Sequence, residues 1–536
     1  MLKNSCTLIR YTPTSQLSIT GFETPFTQQL SSDNRWVILA GKIPWDKLAA
    51  VYYRKMRADF GAPKLNARLL IGAVIIKHML NIDDREVVEQ IRENIYLQYF
   101  VGLSSFQTEA PFDASLMVSI RKRLGKEAMG ELNELILREA GVLPEEPIKK
   151  DEGDKDNHND AAGSTTGNIP EQGEQEDQPS PGPVSGTLLI DATIAEQQIE
   201  YPTDIKLLNE AREQLERMID KVCQAAGLDL PRMYKKVARK KYLLIAKKKC
   251  KSKREIRRCI RQQLQYVKRD LKYINSLIEQ HAVCKIVLKK RDWKLLQVIS
   301  ELYRQQAAMY KKREQKIEDR IVSIYQPHVR PMPRGKDRVS TEFGSKQLVM
   351  LKDGYTHVAL IGWDNYNEGP LLKQSLERYK ELYGCYPEKV LADQLFGNRE
   401  NRRFMKEQGI RYVGKPLGRP TRTSKKEKRS LQKEMAQRNP IEGKFGQGKN
   451  AYGLAKIKAR LKETSESWVL SIYFIMNLLK LAEASFLSVV KILVYPALHE
   501  ILLIAATIRG VVSRSMNDPI GNTQYESNFY NTLYAG

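Results

Sequence analysis

Apolar residues recur at helical spacing in the first third of the chain and contract into short runs further on, so the period itself divides the sequence. Residues 1–60 mix apolar and polar positions with no clear period. From Pro63 to about Gly141 the spacing is three and four. Leu69, Leu70, Ile71, Val74, Ile75 and Met79 predict a strongly apolar helix ending near Asn81. Asp83 with Glu86 three positions on resembles a capping box that opens a second helix, with Val87, Val88, Ile91 and Ile95 on its buried side. Asp113 is the expected N-cap of a third, carrying Leu116, Val118, Ile120 and Leu124 inward and Arg121, Lys122 and Arg123 in its last turns. Consecutive short helices ending on a basic one fit a small helical DNA-binding module, and equally a helical subdomain without that role.

The period changes at residue 187. Thr187–Ile190 is a short apolar run that predicts a buried strand stopping at Asp191. Residues from Asp204 to about Tyr325 return to long, polar helices. Strands resume at Leu348–Leu351 and His357–Trp363, joined by Asp353-Gly354, a good hairpin turn. A helix over Pro370–Tyr383 precedes a strand at Lys389–Ala392 that ends in Asp393. A helix over Arg399–Gln408 and a strand at Ile410–Val413 follow, and from Met435 the chain is largely helical. Strands alternating with helices, two of the strands closing on an aspartate, predict an α/β sheet with its chemistry at the carboxyl ends.

Composition adds a charge that is unevenly spread. The chain of 536 residues holds 88 Lys+Arg against 63 Asp+Glu, a net +25. Pro144–Gly186 has 11 acids, 3 Lys and almost no large apolar residue; it cannot offset its ordering entropy and reads as an acidic, disordered linker. Arg232–Lys272 holds 18 Lys/Arg opposed only by Glu255 and Asp270, interleaved with apolar residues at helical spacing. The expectation is an amphipathic element that packs one side and offers Lys247, Lys248, Lys249, Lys251, Lys253 and Arg254 to phosphate. Six irregularly spaced cysteines suit a reducing compartment, and no secretory leader is expected at the start. The apolar stretch from Trp468 to Ile508 is broken by charges and predicts buried helices or an oligomer interface, so no membrane partner is expected. No G-x-x-x-x-G-K-[ST] loop occurs, so ATP is not indicated.

Asp191, Asp393 and Glu442 stand at two strand ends and a helix start, a disposition that could converge at one sheet edge and hold two Mg²⁺ ions through oxygen ligands. Their neighbours carry more information than the acids do. Arg438-x-x-x-Glu442-x-x-x-x-x-x-Lys449 resembles the Arg-Glu-Lys signature around the third acid of insertion-sequence DDE transposases. Asp191-Ala-Thr-Ile with Tyr201-Pro-Thr-Asp204, Glu342-Phe-Gly-Ser-Lys346, Asp393-x-x-x-Gly-Asn398 and Gly414-Lys-Pro-Leu-Gly418 are similar to the insertion sequence 1182 group, within the relatives of insertion sequence five. Asp84-Arg-Glu-Val87, Gln98-Tyr-Phe-Val-Gly-Leu103 and Pro111-Phe-Asp113 resemble that family's N-terminal helical domain. One departure is Met435, where the family has Tyr.

The resemblance implies an RNase H-like mixed sheet, interrupted by a long helical insertion, preceded by a helical DNA-binding domain and followed by C-terminal helices. The expected boundaries are 1–60, 61–143, the linker 144–186, a catalytic domain over 187–465 with the insertion at about 205–330, and 466–536. It implies a DNA transposase whose Asp191, Asp393 and Glu442 hold two Mg²⁺ ions, with Mn²⁺ a substitute. Arg438, Lys449, Arg121, Lys122 and Arg123 would meet double-stranded DNA, in a homodimer within the prokaryotic cytoplasm, associated with the nucleoid. Two alternatives share these features: an RNase H-like nuclease or resolvase, and a catalytically inactive transposase-derived DNA-binding protein. Asp204 is expected to cap a helix, and Asp364 and Glu342 are lesser rivals for the metal role.

Overall fold

Leucine, isoleucine and valine at three-four spacing gather the N-terminal helices around common apolar seams. The computed structural model describes residues 29–54, 65–144, 184–336, 339–418 and 425–483. Seven helices come first: α1 (Arg35–Lys42), α2 (Trp45–Tyr53), α3 (Ala67–Leu80), α4 (Asp84–Glu93), α5 (Ile95–Phe100), α6 (Leu116–Arg123) and α7 (Lys126–Glu139). The first two lie in a stretch whose pattern gave no period; Asn34 caps α1, and Trp36 and Trp45 pack edge-on to Phe100 at 5.0 and 5.3 Å. Helix α3 is buried on nearly every side and stops where Asn81 turns left-handed. Asp83 caps α4 by accepting from the Arg85 and Glu86 amides, as the spacing predicts. Asp113 does not cap α6. Its carboxylate accepts from Ser115 N–H at 2.8 Å, a local turn that ends before the helix begins.

Strand β1 (Thr187–Gln197) leads into five helices, α8 (Asp204–Ala226), α9 (Lys235–Ala246), α10 (Lys253–Gln280), α11 (Cys284–Val287) and α12 (Lys290–Lys312). Three strands follow, β2 (Arg330–Lys336), β3 (Val339–Lys352) and β4 (Tyr355–Gly362), then α13 (Leu371–Tyr383), β5 (Lys389–Ala392), α14 (Arg399–Glu407) and β6 (Arg411–Val413). Helices α15 (Lys425–Ala436) and α16 (Asn439–Ala451), a short β7 (Lys456–Ile457) and a helix over 462–483 close the described chain. The sheet is mixed. β1 is antiparallel to β3 and parallel to β5, β5 is parallel to β6, and β3 pairs antiparallel with β2 through its first part, up to Gly344, and with β4 through its second, from Lys346. Asp353 and Gly354 take φ 50° and 78°, the two left-handed residues that a tight hairpin turn requires.

β1 does not stop at Asp191. It runs six residues further, because β3 pairs with it from Leu189↔Leu351 to Glu196↔Gly344, which keeps Thr193, Ala195 and Gln197 buried. Gly344 is required there, since a Cβ would collide with the Ala195 carbonyl oxygen. One core lies on the face of Leu188, Ile190, Leu348, Met350 and Val390, covered by α13, α14 and Leu137 of α7. Four of the inserted helices, α8, α10, α11 and α12, bury a separate one, built on Leu208, Leu215, Ile219, Val267, Ile274 and Ile299.

The basic segment is not one helix. Lys247–Ser252 is a connection between α9 and α10: Lys247, Lys248, Lys249 and Lys251 offer no apolar residue at helical spacing and crowd like charges, and Ser252 with Glu255 then caps a new helix. Helix α10 packs as expected, whereas α9 buries only Ala238 and leaves Val237 and Leu244 exposed. No described helix is long and apolar enough to cross a membrane. Of the linker expected over 144–186, residues 145–183 lie outside the described residues, as does the segment from 484 onward. The linker's last three residues belong instead to the fold, where Val184 bridges Tyr386 and the Gly186 carbonyl accepts from Glu388 N–H.

Candidate functional site

Register brings the first two acids together. β1 and β5 run parallel with Ile190 beside Ala392, so the next residue of each strand is Asp191 and Asp393. Asp191 is mid-strand and half-buried, its carboxylate accepting from the Ala192 amide at 2.8 Å. Burial, above all, pushes its pKa up to about 6; the Ala192 N–H and Arg438 oppose the rise, and the nearby carboxylates of Asp393 and Glu368 add to it. Asp393 is exposed and caps a one-turn 3-10 helix, Gln394–Phe396, by accepting from Gln394 N–H at 2.6 Å. The Tyr412 hydroxyl donates to the Asp393 carbonyl at 3.2 Å, and its ring lies so close to Gly397 that no Cβ would fit. The glycine of the Asp393-x-x-x-Gly-Asn398 run thus has a packing reason.

Glu442 reaches the same place from α16. Ile441, Phe445 and Gly448 face inward at helical spacing, and the helix lies against β1, so the first turn delivers Glu442 to the edge where Asp191 stands. Arg438, at the N-cap, joins the two: it donates to Asp191 Oδ2 at 3.2 Å and to Glu442 Oε1 at 2.8 Å. Lys449 sits in the last turn of α16, two turns past Glu442.

Among the described residues no group of three potential ligands is close enough to hold a metal as placed. The donor set nevertheless fits a hard cation. Asp191, Asp393 and Glu442 supply carboxylate oxygens, and a guanidinium already stands between two of them, occupying the position of a positive charge.

The other sequence candidates divide by exposure. Lys122 and Arg123 are exposed on α6, as are Lys247, Lys248, Lys249, Lys251, Lys253 and Arg254 around the α9–α10 connection, where Lys248 pairs with Glu255. Arg121 is turned inward instead: it is buried and grips Asp84 with two bonds of 2.9 and 2.6 Å, so it presents no charge to solvent. Asp204 follows its cap, Thr203, and accepts from Gln306 and Arg320. Asp364 is exposed and pairs with Arg330, and Glu342 is buried on β3. His357 is buried, its pKa lowered to about 4 by burial first and Arg378 second.

Glu368 went unnoticed in the sequence. It is nearly buried, ion-paired with Lys346 of β3 at 2.5 Å, and acts on Asp191 from just before α13. The signal available was Lys346 within the Glu342-Phe-Gly-Ser-Lys346 run, which implied a partner without identifying it.

Two family models match the chain: a transposase DDE domain over residues 390–479, which holds Asp393 and Glu442, and a transposase domain of the DUF772 type over residues 24–123, which covers α1 to α6. A protein of Rhizobium meliloti described as "Uncharacterized protein ORF8 in nfe locus" is 32% identical over 207 residues, 38% of this chain and 80% of that protein. No solved structure matches.

Proposed function

The chain belongs to the insertion-sequence transposases, and on that premise we propose that it binds the terminal repeats of its own element, cleaves at their ends and joins them to target DNA. The observation that carries the reading is the parallel register that sets Asp393 beside Asp191, together with the Arg438 fork that bridges Asp191 to Glu442. The strand order, β2–β3–β1–β5–β6 with β4 also on β3 and β7 on β1, and with β1 antiparallel to β3 and parallel to β5, supports an RNase H-like core, here interrupted by α8 to α12.

Within this proposal Asp191, Asp393 and Glu442 would hold two Mg²⁺ ions, or Mn²⁺ in their place, and the chemistry such ions would supply is activation of an attacking oxygen and stabilisation of the leaving one in phosphoryl transfer. The chain's own residues set the geometry. β1 and β5 fix Asp191 and Asp393 side by side, and α16 brings Glu442 to them. Arg438 and Lys449 flank Glu442 on the same helix, one turn before and two turns after, where phosphates on either side of the scissile bond would lie. Lys122 and Arg123 of the N-terminal helices and the exposed lysines between α9 and α10 extend the grip along the duplex. Two element ends require two copies, so the working form is a homodimer, in the cytoplasm and close to the nucleoid. Membership of the insertion sequence 1182 group, which the motifs resemble, is part of this proposal.

Incubating the chain with Mg²⁺ and a duplex carrying its element ends should give nicked ends and, with target added, joined product. Asp393→Ala should bind the duplex and make neither. Unchanged cleavage by that variant refutes the assignment, and cleavage without joining by the unaltered chain converts the reading to a nuclease.

A further inference from the structure

Arg438 stands where two of the acids must be bridged. One guanidinium nitrogen donates to Asp191 on β1 at 3.2 Å and another to Glu442 on α16 at 2.8 Å, so the fork spans the gap between a strand and a helix. Any ion that touches both carboxylates has to enter that gap. The charges are also unequal: one cation faces Asp191 and Glu442, with Asp393 on the adjoining strand. A cleft of about 210 Å³ opens beside it, lined by Asp393, Tyr412, Lys415, Met435, Arg438 and Asn439. The side chain is only a quarter exposed but stands at the helix N-cap, outside the first turn, so it can swing toward this cleft without disturbing α16.

We infer that Arg438 is a resident counter-cation that a divalent ion must displace, and that its release toward a DNA phosphate and the loading of the site are one linked event. The inference rests on the metal-site reading above and adds to it a competition within the site. Linkage then works in both directions: whatever draws Arg438 outward, a phosphate included, raises the affinity for the ion, and the ion raises the affinity for phosphate. The arrangement keeps a guanidinium across the gap between Asp191 and Glu442 until DNA is present, which suits an activity that should be silent away from its substrate.

The test is Mn²⁺ binding to the full chain without DNA, followed by the loss of the free-ion paramagnetic resonance signal. Arg438→Gln, which keeps much of the length and drops the charge, should bind Mn²⁺ about tenfold tighter than the unaltered chain, the order of one ion-pair competition. Arg438→Lys, a single-point cation that cannot fork across both acids, should fall between. Adding duplex DNA should tighten Mn²⁺ binding in the unaltered chain and leave Arg438→Gln nearly unmoved. Equal or weaker Mn²⁺ binding by Arg438→Gln, with binding still abolished by Asp191→Asn, overturns the competition and leaves the site reading standing. Mn²⁺ binding that ignores both Asp191→Asn and Asp393→Asn removes the site reading and the competition together.

Discussion

Asp84 and Asp191 each meet an arginine, and their surroundings differ in charge balance. Asp84 is held by two cations, Lys77 at 2.8 Å and Arg121 at 2.9 and 2.6 Å, both buried beneath the Trp468 ring at 4.6 and 5.6 Å. Burial alone would raise its pKa; the two cations outweigh that and hold it down at about 2. Asp191 shares its single cation with Glu442; burial first, and then the carboxylates of Asp393 and Glu368, drive its pKa up to about 6. The first cluster is electrically complete and sits where α3, α4 and α6 meet the helix over 462–483. The second lacks positive charge at a sheet edge open to solvent. A surplus of acid in a half-buried place costs stability, which fits the proposed cation site better than a brace.

The largest effect that tests this contrast is chemical. Asp191→Asn should reduce joined product by roughly 10³-fold or more, the scale of a group that acts in the transition state, while Asp84→Asn, assayed below its melting range, should not approach that loss. A comparable loss in both, with both folded, would erase the distinction between brace and site.

Stability should separate the two in the opposite order. Asp84→Ala strands two buried cations and should cost on the order of 3–5 kcal/mol in denaturant unfolding. Asp191→Asn removes a carboxylate that the fold disfavours in its charged form, so the protein should become more stable at neutral pH, by at most about 3 kcal/mol for a rise of this size. The pH dependence has opposite signs for the same reason. Asp84, with its folded pKa below the unfolded value near 4, contributes stability above pH 4 that is lost as pH falls toward 2. Asp191, with a folded pKa near 6, binds protons more tightly when folded, so its contribution falls as pH rises from 4 to 6. Subtracting the unfolding free energies of each Asn variant from those of the unaltered chain, across pH 2–7, isolates the two curves. Curves of the same sign would show that the charge balance has been misread.

How much of this was legible depends on whether a feature is local. Helix α3, the Asp83 cap, the Asp353-Gly354 turn and the strand ending at Asp393 were all readable, because neighbours within a few residues decide them. The full length of β1 was not, since its second half is held by β3, more than 140 residues away, and alternates without a strong apolar signal. Helices α1 and α2 escaped because tryptophans packing on Phe100 define them more than any period does. In the site, motif spacing pointed to Asp393 and Glu442, whereas the Asp191–Asp393 adjacency needed the sheet register and the Arg438 bridge needed coordinates. Arg121 shows the converse failure: three consecutive cations read as one patch, though a helix turns each by about 100° and only two can face outward.

The smallest effect concerns cations that belong to neither cluster. Lys247, Lys249 and Lys251 are exposed in the connection between α9 and α10, far from any compensating surplus of acid, and reversing them to Glu should change stability by no more than about 0.5 kcal/mol. Their effect should appear in the salt dependence of duplex binding, where each lost phosphate contact lowers the slope of log affinity against log salt by about 0.9. The break between α9 and α10 makes this a sharper question than a continuous helix would. On one long helix these lysines would fan around its axis, whereas a connection lets several face one duplex together. A slope that falls by two units or more for the triple variant fits that shared orientation. An unchanged slope means that the charge surplus in the insertion only solvates a surface, and the search for the DNA track moves to Lys122, Arg123 and Lys449.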